Sequence, residues 1–291
     1  MNPVIMHINY CEQGQSIEEI CQKAASWGFD GIEFRSLPTG ITFASIDEYL
    51  EAILHNATRF GLKRIHFGYT AEGICSEDNK THEAAVADAI AFFTLVHNKL
   101  GVTLCNVFTD IIMNPDKNIP YGPDYSLHGS SVATEAQWKA AVAGYKKIGA
   151  AVSALGMRLA FETHMSYIHD TPQAAFKLVS LIDSPAIGIN MDYGNTVYFK
   201  NHLELEETIA LYGEKLFDIH LKNSMELLSS ERVPTALGEG DINHRQYLRL
   251  LKKTGYSGPI TLEAPRSGDR EPYARQDIAY YKMLREDVCL F

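Results

Sequence analysis

Short, unbroken apolar runs alternate with longer stretches of helical period from one end of the chain to the other. The runs at 3–8, 31–35, 63–67, 103–108, 158–162, 186–192, 216–222 and 260–264 are rich in Ile, Val, Leu and Phe. Their lack of polar alternation predicts strands covered on both faces, as in a parallel sheet. Between them lie amphipathic segments such as SIEEICQKAASWGF, SIDEYLEAILHNATRFG and HRQYLRLLKKTG. Many open on Ser, Thr, Asp or Asn and several close on Gly, the residues that start and stop helices. Eight strand–helix units in succession predict an α/β fold, a single (β/α)8 TIM barrel over residues 1–291 with its helices outside. An open doubly wound sheet is the alternative.

Two connections are long: 109–133, rich in Pro, Gly, Asn and Asp, and 223–242. Both follow a strand, which places them on the face where barrel enzymes keep their active sites.

Composition narrows the classes. The 291 residues carry 26 Lys+Arg against 36 Asp+Glu, a formal charge of −10. That balance speaks against a large nucleic-acid footprint and against an anionic membrane surface. No apolar stretch is long enough to span a bilayer. The opening MNPVIMHINYCEQ has no basic n-region or apolar h-region, so a cytoplasmic protein is expected. The five cysteines (Cys11, Cys21, Cys75, Cys105 and Cys289) are scattered with no CxxC pair, which reads as reduced, packing thiols. Phosphate-loop, GxGxxG, HExxH and GxSxG motifs are missing.

The chemistry stands at the ends of the last four strands. RLAFE ends in Glu162, IGINMD ends in Asp192, FDIH presents His220, and ITLE ends in Glu263. One carboxylate at a strand end commonly caps the next helix. Four successive ionisable strand ends meeting at one barrel mouth would repel unless a cation sat among them. Oxygen donors with one imidazole suit Mn2+, the first expectation, with Mg2+ and Co2+ as alternatives.

The chain here resembles the sugar phosphate isomerase/epimerase superfamily, barrels similar to xylose isomerase that include ketose 3-epimerases, inosose dehydratases and the epimerases and eliminases of 3-keto sugars. The resemblance runs from WGFDGIEFR through LAFETH, DTPQAAFKLVSLIDSPAIGINMDYGN and FDIHLKN to LGEGDINHRQYLRLLKKTGYSGPITLE. It implies one divalent ion held by Glu162, Asp192, His220 and Glu263, with Glu162 and Glu263 flanking the reacting carbon as catalytic acid and base. The expected reaction is proton abstraction α to a carbonyl through a metal-stabilised enediolate. Return of the proton gives an isomerase or epimerase; loss of a β-leaving group gives a lyase or dehydratase acting on a keto-sugar, keto-glycoside or keto-inositol.

Further candidates surround that set. Glu33 is expected either to bond sugar hydroxyls or to pair with Arg35 or a neighbour. His66, His164, Lys222 and Arg266 are expected at the substrate; the competing readings are a core histidine for His66, the metal shell for His164 and a rim salt bridge for Lys222. Asn195, Glu239 and Asp241 are expected behind the ligands, Glu239 and Asp241 orienting His220 or Lys222, with capping of the helix near Asn243 as the simpler role of Asp241. Trp27 and Trp138 read as core or interface. Ketose 3-epimerases typically carry His where this chain has Asn195, Glu at Ile168, and Arg near Met225 and Glu226, so free-ketose 3-epimerisation is disfavoured. The expected partner is a small sugar or keto-sugar, within a homo-oligomer (dimer or tetramer). Phosphodiester cleavage at abasic DNA and a non-catalytic sugar-binding barrel are the rivals; the acidic charge opposes the first and the retained pair of flanking Glu the second.

Overall fold

The computed structural model describes residues 2–122, 124–264 and 266–290. Its parallel strands are β1 (Val4–His7), β2 (Gly31–Arg35), β3 (Arg64–Thr70), β4 (Leu104–Phe108), β5 (Arg158–Glu162), β6 (Ile187–Asp192), β7 (Leu216–Leu221) and β10 (Ile260–Leu262). They form a closed barrel in the order β1-β10-β7-β6-β5-β4-β3-β2. This is the (β/α)8 architecture that the alternation predicted. The helices are α1 (Ile17–Trp27), α2 (Ile46–Arg59), α3 (Asn79–Leu100), α4 (Glu135–Ala154), α5 (Pro172–Ile182), the single-turn α6 (Tyr193–Thr196), α7 (Leu205–Tyr212), α8 (His244–Thr254) and α9 (Glu271–Leu290). Among the described residues no helix is long and apolar enough to cross a membrane.

Contacts group the chain into two compact units, residues 1–67 with 219–291, and residues 68–218. In the first, Ser16 and Glu19 close a capping box at the start of α1, which satisfies two backbone donors at the helix end. Phe34 packs on Tyr49 and Phe67 at ring separations of 6.4 and 6.1 Å. The buried Asp277 of α9 ties three segments together. It accepts from the Tyr10 hydroxyl at 2.8 Å and the Leu237 N–H at 2.8 Å, and it pairs with Arg266. β2 begins at Gly31 because the chain passes close to Arg64 there. A Cβ at Gly31 would lie 2.1 Å from the Arg64 carbonyl oxygen.

The 223–242 connection also belongs to this unit, and it is more ordered than its sequence suggests. It folds as an antiparallel hairpin, β8 (Asn223–Glu226) with β9 (Arg232–Thr235), in which Met225 faces Val233. Both apolar residues are exposed, so the strands lack the buried alternation that reveals a hairpin in sequence. Asn223 closes its base, donating to the Leu237 and Ile242 carbonyls at 3.1 Å and accepting from the Ile242 N–H.

In the second unit, Phe161 stacks edge-on against Tyr145 at 4.5 Å, and the Tyr145 hydroxyl donates to the Phe108 carbonyl. β3 runs on to Thr70, beyond its apolar run, because residues 68–70 keep pairing with 106–108 of β4. The 109–133 connection is docked at several points. Its buried His128 accepts from the Asn114 N–H at Nδ1 and donates from Nε2 to the Pro120 carbonyl. Gly129 has a φ of 62°, and a Cβ there would lie 2.0 Å from Asp170 Oδ2. That close approach lets the Ser130 N–H reach the same carboxylate at 3.1 Å. Cys11, Cys21, Cys75 and Cys105 are buried free thiols, and the side chain of Cys289 lies outside the described residues. Trp27 and Trp138 are half-buried at the surface, each beside a cation: Arg275 at 5.6 Å and Lys177 at 3.9 Å from the ring.

Gly31→Ala is expected to destabilise the protein by on the order of 1–3 kcal/mol, because the obstructing atom is backbone. A lower urea midpoint at unchanged slope is the readout, and an unshifted midpoint would contradict the close approach. Asp170 gives a pH test. Burial pushes its carboxyl up to about 6, against bonds to Ser130 that pull it down. The folded state therefore holds this proton where the unfolded state has lost it, and the protein loses stability as pH rises towards and through 6. Compared with Asp170→Asn, wild type should fall behind progressively from pH 4 to pH 7, by up to a few kcal/mol. A constant difference across that range would refute the assignment.

Candidate metal centre

The strand-end residues stand in two neighbourhoods. In the first, Glu162 terminates β5 and Asp192 terminates β6, both buried. Asn106 of β4 donates its amide to Glu162 Oε2 at 2.6 Å. Asn195, in α6, donates Nδ2 to Glu162 Oε1 at 3.1 Å, to Asp192 Oδ2 at 3.0 Å and to the Thr163 carbonyl at 3.0 Å. Asp192 Oδ1 in turn accepts the Asn195 N–H at 3.0 Å and so caps α6. The two readings of this aspartate, helix cap and ligand, are compatible because each uses different lone pairs.

In the second neighbourhood, His220 of β7 stands between two carboxylates. Its Nδ1 is 3.0 Å from Glu263 Oε2 and its Nε2 is 3.0 Å from Glu33 Oε2. Glu263 follows β10 and is anchored by its N–H on the Leu221 carbonyl at 3.0 Å. Lys222 donates Nζ to Glu263 Oε1 at 3.2 Å. Burial would raise the Glu263 carboxyl, but Lys222, His7 and His220 outweigh it and hold it well below the ordinary range. Glu33 follows the same logic: burial raises it, and His220, with His7 and His66, holds it down to about 2.

One donor atom from each of Glu162, Asp192, His220 and Glu263 lies within 4.8 Å of the others. Three carboxylates and an imidazole gathered in low dielectric are the donor set of a hard or borderline divalent cation. The residues present fit such an ion, and among the described residues no thiol joins the set.

The remaining candidates fall differently. Glu33 is not paired with Arg35, whose guanidinium goes to Glu12; with its side chain 1% exposed, it is turned to His220. His66 is buried on β3, and burial lowers its imidazole to about 4, so it stays neutral at physiological pH. His164 is half-buried, with its ring edge-on to Phe108 and Tyr167. Arg266 is drawn to α9, where it pairs with Asp277 and lies 4.0 Å from the Tyr273 ring. Glu239 and Asp241, expected behind His220 or Lys222, have bonds of their own elsewhere. Exposed Glu239 accepts from Gln276, and Asp241 accepts from the Glu226 N–H and from Arg232 of the hairpin. Nor does Asp241 cap α8; Asn243 does, accepting from the Gln246 N–H. Asp241 is carried into the hairpin's own bonding and Glu239 to α9, which a linear reading of LGEGDI does not show.

Three site residues escaped the sequence reading. Asn106 lies inside the β4 run LCNVF, where a polar residue amid apolar ones was itself the signal. His7 ends β1, and its ring is 5.8 Å from that of His220; the strand-end rule would have found it if applied to the first strand. His169 had no signal. Its Nδ1–H donates to the Glu162 carbonyl at 2.6 Å and its Nε2 accepts the Thr109 N–H at 3.2 Å, which joins the end of β5 to the start of the 109–133 connection. Burial lowers its imidazole to about 3, as a neutral bridge requires.

Comparison with known proteins agrees with this architecture. The inosose dehydratase of Clostridium perfringens is 26% identical over 174 residues, 55% of this chain and 57% of that protein. The chain thus spans little more than half the length of that relative. A xylose isomerase-like barrel protein from Mycobacterium smegmatis, solved in complex with magnesium, superposes with a TM-score of 0.76 at 19% identity, covering 99% of this chain and 98% of its own. The D-allulose 3-epimerase of Methylomonas sp. superposes equally well, at 17% identity over 97% and 98% of the two chains. The model of the xylose isomerase-like TIM barrel family matches residues 21–284, and the chain belongs to that family.

Proposed function

We propose that the protein is a divalent-metal-dependent enzyme that removes a proton α to the carbonyl of a sugar or keto-sugar and passes through an enediolate. The carrying observation is the convergence of Glu162, Asp192, His220 and Glu263 donor atoms within 4.8 Å. A bound ion, with Mn2+ first and Mg2+ or Co2+ as alternatives, supplies Lewis-acid stabilisation of negative charge on the carbonyl oxygen. The protein's own residues move the proton. Glu263 has Lys222 and His220 beside it and is ionised, as a base must be. Glu162, whose two oxygens accept from the Asn106 and Asn195 amides, is the second carboxylate of the pair and would return the proton. Return of the proton on the opposite face gives epimerisation, and return at the neighbouring carbon gives aldose–ketose isomerisation. His164 and His66 contact substrate hydroxyls in this scheme.

A second reading is favoured by Lys222. Its ammonium is held 3.2 Å from Glu263, where it can protonate a hydroxyl leaving from the carbon next to the one deprotonated. The C–H and C–O bonds then break, water departs, and the outcome is a dehydration. The partial match to an inosose dehydratase supports this branch. The buried free thiols support a reducing, cytoplasmic setting.

Dialysis against a chelator is expected to abolish turnover and Mn2+ to restore it. Glu263→Gln and Glu162→Gln should each reduce kcat by about 10²–10⁴-fold. A panel of aldo-, keto- and inositol-derived ketones in D2O, followed by NMR, reports the branch: deuterium at the α-carbon of a recovered or isomeric sugar for the first reading, loss of water for the second. Full activity after complete metal removal would exclude both.

A further inference from the structure

The arrangement around His220 assigns a role to Glu33 that a substrate contact does not explain. β2 and β7 are not neighbours; β1 and β10 lie between them. Register places Glu33 beside His7 and His220 beside Thr261, and the Glu33 side chain reaches back to His220 Nε2 at 3.0 Å. Both partners are sealed, with side-chain exposures of 1% and 0%. A carboxylate buried this deeply must have a donor opposite it, and His220 supplies one.

An imidazole that ligates a metal uses the lone pair of one nitrogen and carries its proton on the other. The two edges of His220 are distinguishable. Nδ1 faces Glu263, one of the four converging donors; Nε2 faces Glu33, which groups with Asp218 and His220 in a smaller set of three donors. When Nδ1 serves as the ligand beside Glu263, the proton stands on Nε2, and Glu33 Oε2 at 3.0 Å is placed to accept it.

We propose that Glu33 is a positioning residue: it fixes the tautomer and ring orientation of His220 so that Nδ1 is the metal-binding nitrogen, and it does not touch substrate. The proposal rests on the metal reading above.

Metal affinity tests it without reference to turnover. Free Mn2+, followed by its EPR signal during titration, should show about 10–100-fold weaker binding to Glu33→Ala than to wild type. Glu33→Gln, whose amide oxygen can still accept the Nε2 proton, should fall between them and keeps the packing if the alanine variant does not fold. Independently, 15N NMR of wild type saturated with diamagnetic Mg2+ should show His220 protonated at Nε2 and unprotonated at Nδ1. Mn2+ affinity within twofold of wild type in both variants would overturn the proposal. So would an unprotonated Nε2, or a rise in KM at unchanged metal affinity. Wild type that takes up neither ion would overturn the metal reading itself, a result distinguishable from either of these.

Discussion

The energetics of this protein turn on concentrated negative charge in a place with little water to screen it. Glu33 and Glu263 both lie against His220, and Glu162 and Asp192 share the amide of Asn195. Isolated carboxylates buried to this degree would take up protons. Each instead is matched by an imidazole, an ammonium or an amide, and four of the donor groups form a set suited to a cation. The barrel matters because it supplies strand ends rigid enough to keep like charges close. Backbone hydrogen bonds hold their spacing where flexible loops would let them separate.

Much of this was legible in the chain, for identifiable reasons. A parallel barrel buries both faces of each strand, so its strands write themselves as apolar runs; one charged residue ending such a run can be a helix cap, as Asp192 is, but four in succession stand out. That logic located Glu162, Asp192, His220 and Glu263. It did not extend to residues whose role depends on what lies opposite. Arg266 looked like an active-face cation until Asp277, on the terminal helix, proved to be its partner. Asp241 looked like a cap or a support for His220 until the hairpin formed and brought Arg232 to it. The hairpin itself was illegible because its apolar residues point to solvent, and strand patterns reveal strands only where one face is buried. His169 was invisible for another reason: its two bonds are to backbone, and backbone partners leave no trace in residue type.

The long connections divide the work. The 109–133 segment is pinned by His128, Asp170 and His169, which makes it part of the wall. The 223–242 segment is held at its base by Asn223, while its tip, with Leu228 fully exposed, stands away from the protein's own packing. The two long connections therefore differ in how firmly the chain holds them.

Asn195 has one more implication. Its two amide hydrogens serve Glu162, Asp192 and the Thr163 carbonyl at once. The family's ketose 3-epimerases typically carry a histidine at this position, and a histidine can change charge within the physiological range. A carboxamide gains and loses no proton in acid or in alkali. The donor half of this clamp therefore takes no part in proton exchange, and any pH dependence of the chemistry has to enter through groups other than this amide.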